Sequence, residues 1–290
     1  MNFKKRLAGV VILYNPDIEE VKKNIGSYSA ELEKLWVIDN SEEGLIDPAI
    51  FSNSFLNVTF IQDGVNRGIG PRINYALEEC RRNGFDWLLT MDQDSSFTFD
   101  NFSKYIETVR AININDSKIA QLGVEFSNEV RTPNEHVVLQ EELAIITSGT
   151  FINIKCLNEV GLMNEDLFID EVDSDFSYRI ALAGWKTLVC KGIYLLHSLG
   201  TLKEGRSVKT GAKSLRTLHP PVRLYYMTRN HLLMKKKYKK HFPEVFKKRD
   251  IHLLHVYKNN LLYNLQKFKS LQMIIKGYFD FKRNKLGRLS

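Results

Sequence analysis

The sequence predicts an α/β protein, with a mostly parallel central sheet flanked by helices and a basic helical C-terminal extension. Apolar runs of strand length alternate with helical segments over the first hundred residues. Polar residues follow these runs where each strand would end. From Gly200 to Ser290 the chain holds 23 Lys and Arg against 4 Asp and Glu. Because the whole chain carries +7 and this part +19, an acidic body of −12 precedes a basic tail.

The individual elements follow from local patterns. Strands are predicted at 7–14, 34–40, 57–64 and 86–92, and helices at 18–34 and 70–84. The first run, "LAGVVILY", is continuously apolar, as in a strand buried within a parallel sheet. In the second helix Pro71 suits the first turn, and Gly84 ends the helix. Strands that alternate with helices in this way form a mostly parallel sheet.

The predicted strands end in polar residues, namely Tyr14-Asn15, Asp39-Asn40, Gln62-Asp63 and Asp92 to Asp94. In open α/β sheets, ligands bind at the edge where the strands have their carboxyl ends. Asn and Asp are also ordinary turn residues, so one such end indicates a turn as readily as a site. Four polar ends on one edge favour a binding site.

The stretch "MDQDSSF" places two carboxylates, Asp92 and Asp94, directly after a buried strand. Mg²⁺ prefers oxygen ligands and is often bound by one or two carboxylates together with substrate phosphates. The pair is therefore suited to a metal that neutralises a diphosphate. The nearby "NRGIGPRIN" has Ile73 where a dinucleotide fingerprint needs a small residue, so we exclude a nicotinamide site.

Two further segments carry candidate groups. In "FIDEVDSDFSYRIALAGW" a helix is predicted from about Glu171, with Asp173 on the same face as Phe176 and Ile180. A carboxylate on a buried face needs a partner or a chemical role, and that of a general base is one such role. The strand "IYLLHSLG" ends in His197, which is either structural or, beside the two aspartates, a metal ligand or phosphate contact.

The spacing of the cysteines and the lengths of the apolar runs narrow the possible classes of protein. The three cysteines are far apart and lack metal or redox spacing, which predicts unpaired thiols in a reducing compartment. No apolar stretch reaches the roughly 18 residues of a membrane-spanning helix. The apolar run near the N-terminus stops early and no small-residue cleavage site follows, so it reads as a strand and not as a signal peptide.

Taken together, these pieces resemble a family 2 glycosyltransferase of the GT-A (Rossmann-like) fold. The resemblance rests on the order and spacing of "VVILYNPD", "VIDNS", "GVNRGIGPRINYAL", "MDQDSSF", "TSGTFINIKCLNEVGLMNEDLFIDEVDSDFSYR" and "HSLG". The segments "FIDEVDSDF" and "RLYYMTRNHLL" are similar to the bacterial rhamnosyltransferase branch. The resemblance covers about residues 7 to 235, which predicts a catalytic domain over 1–235 and a basic amphipathic helical region over 236–290.

The resemblance implies a role for each matching position. Residues expected to border the nucleotide-sugar are Leu13, Tyr14, Asn15, Asp39, Asn40, Asn66, Gly68, Asn74 and Asp92. Asp92, Asp94 and His197 would hold Mg²⁺ or Mn²⁺, and Asp173 would be the catalytic base. Ser148, Gly149 and Glu171 would face the transferred sugar or the acceptor, and Arg223 and Arg229 are candidates for the diphosphate. Many members carry Glu-Asp where this chain has Val172-Asp173, so the aspartate is retained and the glutamate is lost.

The family implies an inverting, metal-dependent transfer of a sugar onto a hydroxyl of a growing, lipid-linked cell-surface polysaccharide. The rhamnosyltransferase branch implies dTDP-β-L-rhamnose as the donor, with UDP-glucose or UDP-galactose as the alternative. It also implies a cytoplasmic protein that is peripheral on the inner face of the bacterial plasma membrane.

Two other classes of function remain open on the residues alone. A phosphohydrolase of the haloacid dehalogenase type also uses D-x-D after a strand, although normally after the first strand of its domain. The basic tail suggests a nucleic-acid-binding protein, but it has no zinc spacing or aromatic RNA motif, and no nucleic acid partner is expected. In "KFKSLQMIIKGYFDFKRNKLG" (267–287) apolar residues alternate with lysines, which favours an anionic membrane surface as partner over a solvated helical subdomain.

Overall fold

The computed structural model describes residues 5–112, 118–197, 202–206 and 213–289. Within these ranges the chain forms two compact units. The first unit comprises Met1–Glu165 and Val172–Ser198, and the second comprises Asp166–Glu171 and Leu199–Ser290. The boundary predicted after residue 235 falls inside the helix Pro221–Tyr238, which belongs to the second unit.

The strands of the first unit alternate with helices along most of its length. Its strands are β1 (Leu7–Leu13), β2 (Lys34–Asp39), β3 (Val58–Gln62), β4 (Trp87–Asp92), β5 (Ser95–Phe97), β6 (Ile119–Ser127), β7 (Val138–Glu141), β8 (Thr150–Asn153) and β9 (Lys186–His197). Its helices are α1 (Ile18–Gly26), α2 (Ala49–Ser52), α3 (Ile69–Asn83), α4 (Phe99–Ala111), α5 (Leu157–Val160) and α6 (Val172–Leu182).

These strands form one mixed sheet with the order β3-β2-β1-β4-β8-β6-β9-β5, and β7 also pairs with β9. Strands β3, β2, β1 and β4 are parallel neighbours, so their carboxyl ends meet at one edge. The antiparallel pairs involve β5, β7 and β8. The core around this sheet consists of buried aliphatic and aromatic side chains. They come from the strands and from helices α1 and α4. The predicted α/β fold, with a mostly parallel sheet and a helical C-terminal region, is confirmed.

One predicted element is shorter than expected. Helix α1 ends at Gly26, whereas the sequence predicts helical character as far as residue 34. The amide of Ser27 donates to Asn24 O and Ile25 O, which closes the last turn, and a short 3₁₀ turn over Ser29–Glu31 then leads into β2.

The second unit is mainly helical. It contains the antiparallel pair β10 (Leu202–Arg206) and β11 (Lys213–Thr217), and the helices α7 (Pro221–Tyr238), α8 (Pro243–Tyr263) and α9 (Lys267–Lys282). Pro221 and Pro243 each stand in the first turn of a helix, where the missing amide hydrogen costs nothing. None of the helices in the described residues combines the length and the apolar character needed to cross a membrane.

Candidate active site

The loop after β4 lies beside the loop after β1, because these two strands are parallel neighbours in which Ile12 pairs with Asp92. The side chain of Gln93 joins the two loops. Its Oε1 accepts from the Tyr14 amide at 2.7 Å, and its Nε2 donates to the Tyr14 carbonyl at 3.2 Å. The aspartate pair is therefore fixed against the loop that is predicted to border the nucleotide.

Asp92, Asp94 and His197 form one cluster, with one potential ligand atom from each within 4.8 Å of the others. The β5–β9 ladder creates this cluster, because it pairs Ser95 with His197 across 102 residues of sequence. His197 Nδ1 lies 2.8 Å from Ser95 Oγ and 3.5 Å from Asp94 Oδ1.

Two serine hydroxyl groups connect parts of this cluster by hydrogen bonds. The Ser148 hydroxyl donates to Ser95 Oγ at 2.8 Å, and Ser148 Oγ accepts from the Asp92 amide at 3.2 Å. Both serines are almost completely buried. The hydroxyls therefore connect the backbone of Asp92 to the imidazole of His197.

The pKa values of all three residues of the cluster differ from their ordinary values. Burial and the negative charge of Asp94 raise the pKa of Asp92 to about 6, although His197 acts in the opposite direction. Contact with His197 holds the pKa of Asp94 below its ordinary value. The same contact with Asp94 raises the pKa of His197. A cation placed among these groups would relieve the repulsion between the two carboxylates.

A second polar network lies after β2 and β3. The Asn40 amide group donates to Asn66 Oδ1 at 2.9 Å, and Asn40 Oδ1 accepts from Arg72 Nε at 2.9 Å. Arg72, which is buried, also forms an ion pair with Asp63 at 2.5 Å. Gly68, at φ +83°, starts α3 in a conformation that favours glycine. Asn40, Asn66 and Gly68 thus lie together, as the sequence predicts.

Asp39 lies next to this network at the end of β2. Its side chain is almost fully buried, and its Oδ1 accepts from both the amide and the hydroxyl of Ser41. Ser41 Oγ in turn accepts from the amide of Asn15, which adopts a left-handed φ of +46°. The polar ends of β1 and β2 are therefore linked to each other.

Several predicted contact residues are buried. Leu13 belongs to the hydrophobic core, so its side chain does not face the edge and only its main chain is available there. Asn74 is also buried, and its amide bonds Met163 N, Met163 O and Glu165 Oε1. These partners engage the side chain of Asn74, and its contact with the nucleotide-sugar stays a prediction.

The backbone conformation and the close packing at position 149 require glycine. Its φ is +69°, and a Cβ there would stand 2.8 Å from Leu195 Cδ2. Its amide donates to Thr90 O, and its carbonyl accepts from the Tyr105 hydroxyl. Gly149 therefore fixes the backbone that presents Ser148.

Asp173 lies in the first turn of α6, half-buried, and lines a groove of about 480 Å³. Glu125, Phe126, Ile145 and Lys191 line the same groove. Phe126 also contacts the His197 ring edge to face, with 5.8 Å between the ring centroids. One aromatic side chain thus belongs both to the groove of Asp173 and to the surroundings of the acidic cluster.

Asp175, and not Asp173, is the fully buried carboxylate of this helix. It forms an ion pair with Arg179, with 2.8 Å between Oδ2 and Nε. Arg179 also donates to the carbonyls of Val160 and Leu162. The pair therefore ties α6 to the turn that precedes it.

We compared the sequence and the fold with those of known proteins. No family model matches the chain. The chain is 25% identical over 259 residues to the dTDP-rhamnosyl transferase RfbF of Shigella flexneri, covering 83% of each protein. It is similar to S. aureus TarS 1-349 with a TM-score of 0.52 at 14% identity, over 97% of this chain and 81% of that one. It is also similar to GalNAc-T7 with UDP, GalNAc and Mn²⁺, with a TM-score of 0.51 at 12% identity. That similarity covers 66% of this chain and 43% of GalNAc-T7.

The chain has the GT-A fold.

In the helical unit, three predicted contact residues form salt bridges or internal hydrogen bonds. Arg223, which is half-exposed, pairs with Asp170 at 3.1 Å. Glu171 pairs with Arg249.

Arg229 is fully buried, and its guanidinium donates to the carbonyls of Asp166, Leu167 and Gly287. This arginine holds the chain segments of its own unit together, and its role at the diphosphate stays a prediction.

Sequence reasoning missed four residues that organise the candidate site: Gln93, Ser95, Ser41 and Arg72. Gln93 and Ser95 stand within or next to the aspartate pair, so their position was a usable signal. Ser41 and Arg72 act through side-chain bonds between separate loops, for which the sequence has no local pattern.

Proposed function

We propose that this protein is a glycosyltransferase that transfers L-rhamnose from dTDP-β-L-rhamnose to a hydroxyl of a glycan acceptor, with inversion at the anomeric carbon. The observation that carries the proposal is the clustering of Asp92, Asp94 and His197 at the carboxyl edge of the parallel strands. The rhamnosyl donor is supported by the 25% identity to a protein named dTDP-rhamnosyl transferase.

The donor would bind across the ends of β1, β2 and β4. Asp39, whose carboxylate is oriented by Ser41, would accept a hydrogen bond from the nucleotide base. Tyr14, with a side chain that is half-exposed, would border the base, while Asn15 and the main chain of Leu13 complete this wall. The loop held by Asn40, Asn66 and Gly68 would approach the nucleotide-sugar through its backbone.

The acidic cluster fits a divalent metal. Two carboxylates and one imidazole form a donor set that suits Mg²⁺ or Mn²⁺. Burial and, after it, the negative charge of Asp94 raise the pKa of Asp92, and a bound cation would favour its ionised form. Bound there, the metal would stabilise the negative charge that develops on the departing nucleoside diphosphate. The exposed Arg223 is a further candidate for the diphosphate.

Asp173 would remove the proton from the acceptor hydroxyl. The hydroxyl oxygen then forms a bond to the anomeric carbon from the face opposite the diphosphate, whose C1–O bond breaks. One displacement inverts that carbon, so a β-L-rhamnosyl donor gives an α-L-rhamnoside. The groove shared by Asp173, Glu125 and Phe126 would receive the acceptor, because its carboxylates can accept hydrogen bonds from sugar hydroxyl groups.

Ser148 and Glu171 complete the proposal on the acceptor side. Ser148 would act through its support of Asp92 and of Ser95, with Gly149 fixing its backbone. Glu171, held by Arg249, would contact the transferred sugar or the acceptor.

The donor is tested by incubating the purified protein with dTDP-β-L-rhamnose, UDP-glucose and UDP-galactose and measuring nucleoside diphosphate release. We expect release from dTDP-rhamnose at least ten times faster than from either UDP-sugar. Preferential turnover of a UDP-sugar would reject the rhamnosyl donor but keep the glycosyltransferase. If Asp92 instead became phosphorylated by a phosphate ester, the haloacid dehalogenase mechanism would replace both.

A further inference from the structure

Helix α9 packs on α7 with its small and polar side. Its buried residues are Ser270, Gly277 and Asp280. Gly277 approaches so closely that a Cβ there would stand 2.6 Å from the carbonyl oxygen of Tyr225. Asp280 accepts a hydrogen bond from the Tyr225 hydroxyl at 3.0 Å. The contact between these two helices is therefore close, and its fully buried α9 residues are small or polar.

Four large apolar residues of α9 face outward. Phe268, Leu271, Ile275 and Phe279 are 85%, 42%, 47% and 50% exposed. Their spacings of three and four residues place them in one stripe along the helix. Leu265, directly before the helix, is 97% exposed. An amphipathic helix in a water-soluble protein normally buries such a stripe, and a large exposed apolar patch marks an interaction surface.

A groove between α7, α8 and α9 continues this surface. Its volume is about 640 Å³, within the usual range of ligand pockets. Apolar side chains line most of it, including Leu232, Leu253, Ile274 and Ile275. This lining suits a hydrocarbon chain better than a sugar or a nucleotide.

The helical region around the stripe is strongly basic. Residues 221–289 hold 18 Lys and Arg against three Asp and Glu. All three acidic residues are engaged in ion pairs, Asp250 with Lys235 at 2.6 Å, Asp280 with Lys276 at 3.1 Å and Glu244 with Lys247 at 4.0 Å. Lys267 and Lys269, both exposed, flank Phe268. The partner of this surface should therefore be anionic as well as apolar.

We propose that the outer face of α9, which we define as Leu265, Phe268, Leu271, Ile275 and Phe279 with their flanking lysines, docks on an anionic lipid bilayer. The apolar stripe enters the boundary between headgroups and acyl chains, and the lysines contact lipid phosphates. The groove between the helices admits a lipid hydrocarbon chain. This surface is separate in sequence from the acidic cluster, so the proposal does not depend on the sugar that the enzyme transfers.

Other partners fit this face less well. A nucleic acid would meet the charge but leave the apolar stripe in water. A second copy docking through the same face would bring two surfaces of like charge together, which costs free energy.

The test is flotation of the full-length protein with vesicles of phosphatidylcholine, with and without about one-third phosphatidylglycerol. We expect binding to the anionic vesicles that weakens as salt is raised. The variant Leu265→Ser/Phe268→Ser should lose most of this binding. The matched control is Leu56→Ser/Phe99→Ser, which changes a leucine and a phenylalanine of the other unit that are 106% and 80% exposed. Circular dichroism and the melting temperature report whether each variant is folded.

The electrostatic part is tested by Lys267→Glu/Lys269→Glu, with Lys23→Glu as control. Each lysine removed from an anionic surface should lower the partition coefficient about five-fold, so the double variant should bind at least twenty-fold more weakly. Equal flotation of the Leu265→Ser/Phe268→Ser variant and its control overturns the proposal. So does equal binding to neutral and anionic vesicles. Light scattering without lipid gives a further outcome: a dimer that becomes monomeric only in this variant would assign the face to self-association and overturn the lipid partner.

Discussion

Ser95 and His197 stand opposite each other in the β5–β9 ladder, with Ser95 Oγ 2.8 Å from His197 Nδ1. Through this pairing the hydroxyl orients an imidazole that also lies 3.5 Å from Asp94. Groups that orient a metal ligand commonly affect affinity for the metal almost as much as some ligands do. Ser95 therefore acts as a positioning residue of the proposed metal site.

Replacing Ser95 by Ala should weaken Mn²⁺ binding by about 10- to 100-fold, the usual cost of losing such a support. The fold should survive, because Ala fits where Ser stood. Calorimetric titration with Mn²⁺ measures the effect. Ser96→Ala, one residue further along β5 and on the other face of the strand, is the control and should bind like the wild type. Unchanged affinity in the Ser95 variant would remove His197 from the metal site.

Asp173→Asn should leave binding of the nucleoside diphosphate nearly unchanged and lower the transfer rate by about 10² to 10⁴-fold, as expected for loss of a general base. Asp175→Asn, two residues away, is the informative comparison. It breaks the buried pair with Arg179, so its main effect should be a lower melting temperature. Transfer by the Asp173 variant within a few-fold of the wild-type rate would contradict the assignment of the base.

Asp63 provides a prediction on pH. Its hydrogen bonds from Arg72 and Arg67 hold its pKa below the ordinary value, despite some opposing desolvation. A depressed pKa in the folded state stabilises the protein above the unfolded pKa of about 3.9, and this contribution is lost as the pH falls through the folded value. Because Asp63 is one-third exposed, the contribution is screened by solvent.

Asp63→Asn should therefore lower the free energy of unfolding by about 1 kcal/mol at pH 7. The difference from wild type should shrink as the pH falls below about 4. Urea unfolding between pH 7 and pH 2.5 measures this, with the exposed Asp100→Asn as control. A difference that stayed constant down to pH 2.5 would show that the ion pair with Arg72 is not its source.

Gly277→Ala should destabilise the helical unit by about 1–3 kcal/mol, since overpacking of a close helix contact costs this much. The added methyl would meet the carbonyl oxygen of Tyr225 at 2.6 Å, and a backbone atom cannot move aside as a side chain can. Gly26→Ala is the matched control, because the nearest atom to its Cβ is 4.0 Å away. Thermal unfolding of both variants decides it, and equal melting temperatures would mean that α9 does not pack so closely on α7.

The first half of the sheet was predictable, because β1 to β4 are apolar runs with polar ends and regular helices between them. In the second half, only the end of β9, at His197, was predicted. Strand β6 contains Gln121, which is fully buried and accepts hydrogen bonds from Ser177 and Thr187, and β7 is exposed along its whole length. Both break the apolar pattern by which a strand is recognised.

The same contrast holds for the site. Asp92 and Asp94 are adjacent in sequence, so their pairing is local. Their meeting with His197 depends on antiparallel pairing over 102 residues and was expected only from the resemblance to a family. Arg229 shows what residue type alone leaves out, because its charge suggested a phosphate ligand and the fold also places it among main-chain carbonyls.

The most direct test of the central claim is the metal dependence of sugar-nucleotide turnover. Release of dTDP from dTDP-β-L-rhamnose should stop in a chelator and return when Mn²⁺ or Mg²⁺ is added in excess. Asp94→Ala should not recover at the same metal concentration, whereas Asp100→Ala should behave as the wild type. Full activity of the wild type in chelator, or wild-type turnover by Asp94→Ala, would contradict the claim that Asp92, Asp94 and His197 hold a catalytic metal.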